Sequence, residues 1–249
     1  MSDYVTDDRD GSGGAAKVIA LVRQKLVAGE LKPGDRLPSE RELSSMLGVS
    51  RPILREGLRA LAVLGLLDVQ QGRGAFVGTA DISVLGDALV FCLAQQPNAV
   101  DDVLQGRIAI ECQAIRLACQ AATDVELAGI EQKLEHFAES LDNPELGGAA
   151  DHAFHLSIVE ASHSGTLITM YRALQPLLLR SHVERRRLAI PDPEVTSFLL
   201  EAHREVFFAV VNGDAEIAEV KMREHFEVSA RLRRKRFLRG VPPARTAKG

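Results

Sequence analysis

The sequence predicts a mostly α chain in two parts: a small head of three helices closed by a β-hairpin, then an all-α antiparallel helical bundle of about seven helices. Three observations predict it. Apolar residues recur at helical spacing along most of the chain. Period-two alternation, the mark of a strand, is confined to residues 67–77. Short breaks rich in Gly, Pro, Asn and Asp divide the helical stretches, and short connections make neighbours antiparallel.

In the head, Val18, Leu21, Val22 and Leu26 place a first helix over 15–28; Gly29 ends it and Lys32-Pro33-Gly34-Asp35 turns the chain. Ser39 with Glu42 three residues on is a capping box, and the helix it opens runs to Leu47, with Gly48 just past its end. Ser50 is expected to cap the next helix and Pro52 suits its first turn. Leu54, Leu58 and Leu61 form a core stripe, and Arg51, Arg55 and Arg59 a second stripe roughly a quarter turn away. Two helices joined by a tight turn, the second with arginines on its free face, read as a helix-turn-helix. Leu67 to Gln70 and Ala75 to Val77 then make a hairpin with Gln71-Gly72-Arg73-Gly74 at its tip. Such a wing lays Gly72 against a sugar-phosphate backbone and offers Arg73 to a minor groove. The head is therefore a winged helix-turn-helix.

The chain has 249 residues, enough for two modest domains, and a net charge of −4. The total hides an asymmetry. Residues 15–78 hold ten Lys/Arg against six Asp/Glu, so a basic module is joined to an acidic remainder, the pattern that suits nucleic acid. No apolar run is long enough to span a membrane and no signal peptide is evident, so no membrane partner is expected. Cys92, Cys112 and Cys119 sit in apolar helical contexts. They read as reduced thiols of a cytoplasmic protein, against a redox or metal role as the alternative.

The expected organisation is a disordered tail over 1–14, the winged domain over 15–78, a linker over 79–83, the helical domain over 84–239 and a flexible tail over 240–249. The bundle helices are expected over 84–95, 100–122, 124–141, 146–163, 165–188, 193–212 and 214–237. Arg231 to Arg239 is a charge run, either a solvated helix end or a contact for phosphates or for the head.

Helical phase sorts the histidines. On the helix over 146–163, Phe154, Ile158 and Ala161 mark the buried stripe, and Asp151 and His155 on its flank can reach one point. His203 falls in the stripe of Leu199, Val206 and Val210, and His225 in that of Ala218 and Met222. His152 and His163 point away and are expected in solvent, His136 lies opposite its stripe, and His182 fits either side. One carboxylate and three imidazoles thus converge from three helices. Singly, each histidine reads as a hydrogen-bonded core residue. Together, four such groups are costly to bury unless something such as a divalent cation compensates. Arg107 and Glu111, one turn apart, read either as a surface ion pair or as an arginine that meets a ligand carboxylate. Ser181 and Arg185 face inward as weaker pocket candidates.

The segment GELKPGDRLPSERELSSMLGVSRPILREGLRALAVLGLLDVQQGRGAFVG resembles the winged-helix domain of the GntR family of bacterial transcription regulators. DHAFHLSIVEAS, EAHREVFFAVVNGD and MREHFEVSARL are similar to the metal-bearing helices of the FCD effector domain of the FadR-type subfamily. That resemblance implies Asp151, His155, His203 and His225 as metal ligands. Such a set suits Zn2+, with Ni2+ or Mn2+ as alternatives. It also implies that the arginine in GRIAIECQAIRLA, Arg107, meets a small carboxylate effector beside the metal; Glu111, one turn away, and the inward-facing Ser181 and Arg185 are the other candidates for that pocket.

The leading expectation is a ligand-responsive regulator, a repressor by the family's commoner habit. Arg41, Ser50, Arg51 and Arg55 would contact operator DNA together with Gly72 and Arg73. One winged domain buries little area, so a homodimer on a two-fold symmetric site is expected. The rivals are a regulator that senses the cation itself and a metal-dependent enzyme. The enzyme is disfavoured because no general base or nucleophile stands beside the ligands.

Overall fold

The computed structural model describes residues 11–79, 82–96, 98–189 and 193–240, of which 11–12, 100–101, 188 and 228–240 as backbone. In chain order the described elements are α1 Gly11–Val27, α2 Glu40–Leu47, α3 Arg51–Val63, β1 Leu67–Gln70, β2 Gly74–Val77, α4 Ile82–Leu93, α5 Ala99–Ala121, α6 Asp124–Glu139, α7 Pro144–Ala161, α8 Gly165–Ala173, α9 Gln175–Ala189, α10 Pro193–Val211 and α11 Ala215–Gly240. The chain divides between Leu85 and Gly86 into two compact units.

In the first unit, α2 opens on the capping box read from sequence. The Ser39 N–H donates to Glu42 at 2.8 Å and the Glu42 N–H donates to the Ser39 hydroxyl at 3.3 Å. Gly48 ends α2 in the left-handed conformation, at φ 64°. Ser50 stands at the cap position of α3, but its hydroxyl makes no capping bond, contrary to expectation. Pro52, which has no N–H to satisfy, eases the first turn instead. Leu54, Leu58 and Leu61 pack on Val18 and Val22 of α1, Leu43 of α2 and Leu67, Ala75 and Val77 of the hairpin. The crossing of α1 and α3 is close, since a Cβ on Gly57 would stand 2.8 Å from the Val18 Cβ. The hairpin runs in register from Leu67 opposite Val77 to Gln70 opposite Gly74. Arg36 bridges to Phe76, so the strand-like segment before α2 lies along β2.

Helix α1 begins four residues earlier than expected, inside the stretch read as a disordered tail. The rest of that stretch, 1–10, lies outside the described residues, as do 80–81 of the expected linker and 241–249 of the expected tail. Ile82 and Ser83, read as linker, open α4.

In the second unit, α7 packs against α5, α6 and α9, while α11 packs against α5 and α10. Ile115, Ile130, Phe137, Phe154, Ile158, Val206, Val210 and Met222 form the larger apolar core. Ile110, Ala114, Val159, Tyr171, Leu177 and Leu178 form a second. The single helix expected over 165–188 is two, broken at Leu174, so the described helices after the hairpin number eight. The cause is Pro176: it has no N–H to donate to the Arg172 carbonyl and its ring crowds that turn. Helix α11 carries through the basic run to Gly240, whose side chains lie outside the described ones. No helix among the described residues is long and apolar enough to cross a membrane.

Candidate functional sites

The head presents its arginines to solvent. Arg41, Ser50, Arg51, Arg55, Arg59, Gly72 and Arg73 are all exposed. Gly72 turns the hairpin tip at φ 76°, a conformation that other residues resist. The uncommitted Ser50 hydroxyl stands at the start of α3, beside Arg51. Arg55 is not free: its Nε donates to both Glu40 carboxylate oxygens, at 3.1 and 3.0 Å. That pair is exposed and therefore weakly held.

The second unit hides its polar groups. Asp151 on α7 is the centre of a buried cluster. Its Oδ1 lies 3.3 Å from Nε2 of His155, 3.2 Å from Nε2 of His203 and 2.9 Å from Nδ1 of His182. The candidate donor nitrogens of His155, His203 and His225 lie within 4.8 Å of one another. The four residues read from sequence as ligands are thus brought together from α7, α10 and α11.

The surroundings orient the rings. His203 Nδ1 lies 2.7 Å from the Leu199 carbonyl, which can only accept, so this nitrogen carries the proton. Burial, against the pull of Asp151, lowers the His203 pKa and keeps the ring neutral. Its Nε2 is then a lone pair facing Asp151. His155 Nδ1 lies 2.7 Å from Glu111 Oε2, and its Nε2 faces the same Asp151 oxygen as His203. So many polar groups enclosed together are costly unless a cation stands among them, and imidazoles steadied by outer partners are oriented as metal-bound histidines are. Burial, then His203 and His155, also drive the His225 pKa well down, and its Nδ1 has no partner. The donor set therefore fits a divalent cation.

Arg107 and Glu111 are brought together but not at the surface. The pair is buried, with Nε to Oε1 at 2.6 Å and Nη2 to Oε2 at 3.3 Å. Glu111 also accepts from the Tyr171 hydroxyl at 2.9 Å, and the guanidinium lies 5.0 Å over the Phe226 ring. Burial pushes the Glu111 carboxyl up, but Arg107 and then His155 outweigh it and hold it well below the usual range. Ser181 is buried, and Arg185 is half-buried with its Nη2 enclosed without a partner.

Two residues that sequence reasoning missed belong to this chamber. His152, expected in solvent, is 6% exposed, stacks 5.7 Å from Tyr171 and lies 5.6 Å from His182. The correction follows from α7 having neighbours on three sides, so one apolar stripe understates its buried face. His182, which helical phase left undecided, is fully buried. The signal was present on α9, where Leu177 and Leu178 are followed one turn later by Ser181 and His182 and again by Arg185 and Arg186.

Comparison with known proteins identifies the frame of both units. Residues 15–77 match the family of bacterial regulatory proteins called gntR, and residues 102–228 match the FCD domain. The HTH-type transcriptional regulator LutR of Bacillus subtilis is 31% identical over 79% of this chain and 90% of its own length. The Glc operon transcriptional activator of Escherichia coli is 30% identical over 84% of each chain. A solved Streptococcus agalactiae GntR structure, 23% identical, covers 88% of this chain and 99% of its own with a TM-score of 0.61, a likeness of fold. The surface arginines on a winged head and the enclosed polar cluster of a helical second domain thus sit on a known plan: the chain belongs to the GntR family of ligand-responsive bacterial transcription regulators, with an FCD domain as its second part.

Proposed function

We propose that this regulator is a cytoplasmic homodimeric repressor whose FCD domain holds a divalent metal and a small carboxylate, the acid altering operator affinity. The observation that carries the reading is the convergence of the His155, His203 and His225 nitrogens within 4.8 Å of one another, with the buried Asp151 oxygen 3.3 and 3.2 Å from His155 and His203. Asp151, His155, His203 and His225 would hold the cation. Zn2+ suits three nitrogens and one oxygen, with Ni2+ or Mn2+ as alternatives. The bound cation supplies a fixed positive charge for an acid oxygen. Glu111, pinned by Arg107 and Tyr171, orients His155. Ser181 and Arg185 face the acid.

At the DNA end, Arg51 and Ser50 open α3 towards the major groove, Arg41 supports from α2, and Arg73 with Gly72 follows the wing. Arg55 joins them once it lets go of Glu40. The acid acts only if it binds one relative arrangement of the two heads better than another.

The test is operator binding by the zinc-loaded full chain, on duplexes selected from its own genome. Added organic or sugar acids should shift operator affinity while zinc content stays constant. Affinity that follows zinc alone would make the cation the signal and reject the acid. Arg51→Ala should weaken specific binding by about 10- to 100-fold while the second domain keeps its metal. His203→Ala combined with His225→Ala should abolish stoichiometric zinc, read by elemental analysis; retained zinc rejects the site.

A further inference from the structure

The chamber around Asp151 holds polar groups that neither the cation nor the protein satisfies. Both ring nitrogens of His152, Nε2 of His182 and Nη2 of Arg185 are buried with no hydrogen-bond partner. Arg185 follows Ser181 and His182 by one turn on α9, the helix packed against α7, and its Nη2 is enclosed on that stretch. Arg107 spends two of its five donors on Glu111, so its charge is already paired. Arg186 donates through Nη2 to the Leu141 carbonyl at 2.8 Å with its guanidinium over Phe137, but its Nε and Nη1 are enclosed without a partner and it too feels Asp151.

Charge then narrows the ligand. Arg107 and Glu111 cancel. Asp151 offsets half of a divalent cation, and Arg185 and Arg186 each add a positive charge. Enclosed unpaired charge is costly, so the loaded chamber calls for at least two negative charges. Resting on the metal-and-acid reading above, we propose that the effector is a short dicarboxylate: one carboxylate sits at the histidine cluster, and the second is met by Arg185 on the side of His182 and His152. A guanidinium grips a carboxylate through two parallel bonds. His152 suits the flank because both its ring nitrogens are enclosed without a partner, 5.6 Å from the His182 ring. Arg185 keeps its charge at neutral pH, since burial, then Arg107, bring it down only to about 9.

The experiment is calorimetric titration of the zinc-loaded full chain with succinate and with butanoate, equal in chain length, at one ionic strength. Succinate should bind about 10- to 100-fold tighter, the worth of one charge-assisted contact. Arg185→Gln should bring the two acids to about equal affinity by weakening succinate alone, with zinc content unchanged. Arg185→Lys should restore part of the preference, which shows that charge and not packing was lost. His152→Phe should weaken succinate more than butanoate. Equal binding of both acids by the unaltered protein, or equal weakening of both by Arg185→Gln, overturns the proposal. Acid binding that survives without any preference leaves the metal-and-acid reading standing, whereas binding of neither acid removes both.

Discussion

Each unit contains an arginine held by a glutamate, and the two pairs show how much burial decides. Arg55 and Glu40 meet on the face of the head with the arginine side chain 60% exposed. Arg107 and Glu111 meet at similar distance with 1% and 0% exposed. In water the first pair competes with solvent and salt, so it can open for a phosphate at little cost. The second cannot open without leaving a bare charge in the interior. The head keeps its charges available, and the second domain keeps its charges fixed. One suits a surface that must meet DNA, the other a scaffold that must hold a ring in place.

The largest expected effect breaks this comparison at its centre. Glu111→Ala should destabilise the second domain by about 3–5 kcal/mol, because Arg107 is left enclosed and unpaired. Glu40→Ala should change the stability of the head by less than about 1 kcal/mol. Chemical denaturation of both variants reads the difference, and comparable losses would erase the distinction. Next comes Gly57→Ala. The added methyl meets Val18 where α1 crosses α3 and should cost the head about 1–3 kcal/mol. Zinc content of the second domain should not move.

The smallest effect concerns the capping boxes, one in each unit: Ser39 with Glu42 and Thr123 with Glu126. The Thr123 backbone N–H, then the His163 ring 2.8 Å away, bring the Glu126 carboxyl down to about 2. Its folded pKa lies below its unfolded one, so its contribution is present above about pH 4.5 and is lost as pH falls towards 2. Glu126→Gln should cost about 1 kcal/mol at pH 7, and the loss should vanish near pH 2. A constant difference across that range would show that charge plays no part in the cap.

The head was largely legible in the sequence because its signals are local. Ser39 and Glu42 are three residues apart, Gly48 marks an end, and the hairpin alternates within eleven residues. Where it misled, at Ser50, the residue type was right for a cap but the hydroxyl was left uncommitted. The second domain was legible in outline. Asp151, His155, His203 and His225 could be gathered because each lies beside an apolar stripe on its own helix. His152 and His182 could not be placed, since their burial depends on α7 and α9 packing against each other, which no single helix reveals. Pro176 was the one local signal overlooked, and it divides α8 from α9.

Helix α9 carries Ser181, His182, Arg185 and Arg186 within six positions, yet none of Asp151, His155, His203 and His225. On the proposed reading, the anchor and most of the groups that would discriminate between acids are written in different segments. A descendant would then change its chemical taste by rewriting a turn and a half of one helix, and grafting residues 181–186 between paralogues would be a short route to a regulator with a new stimulus.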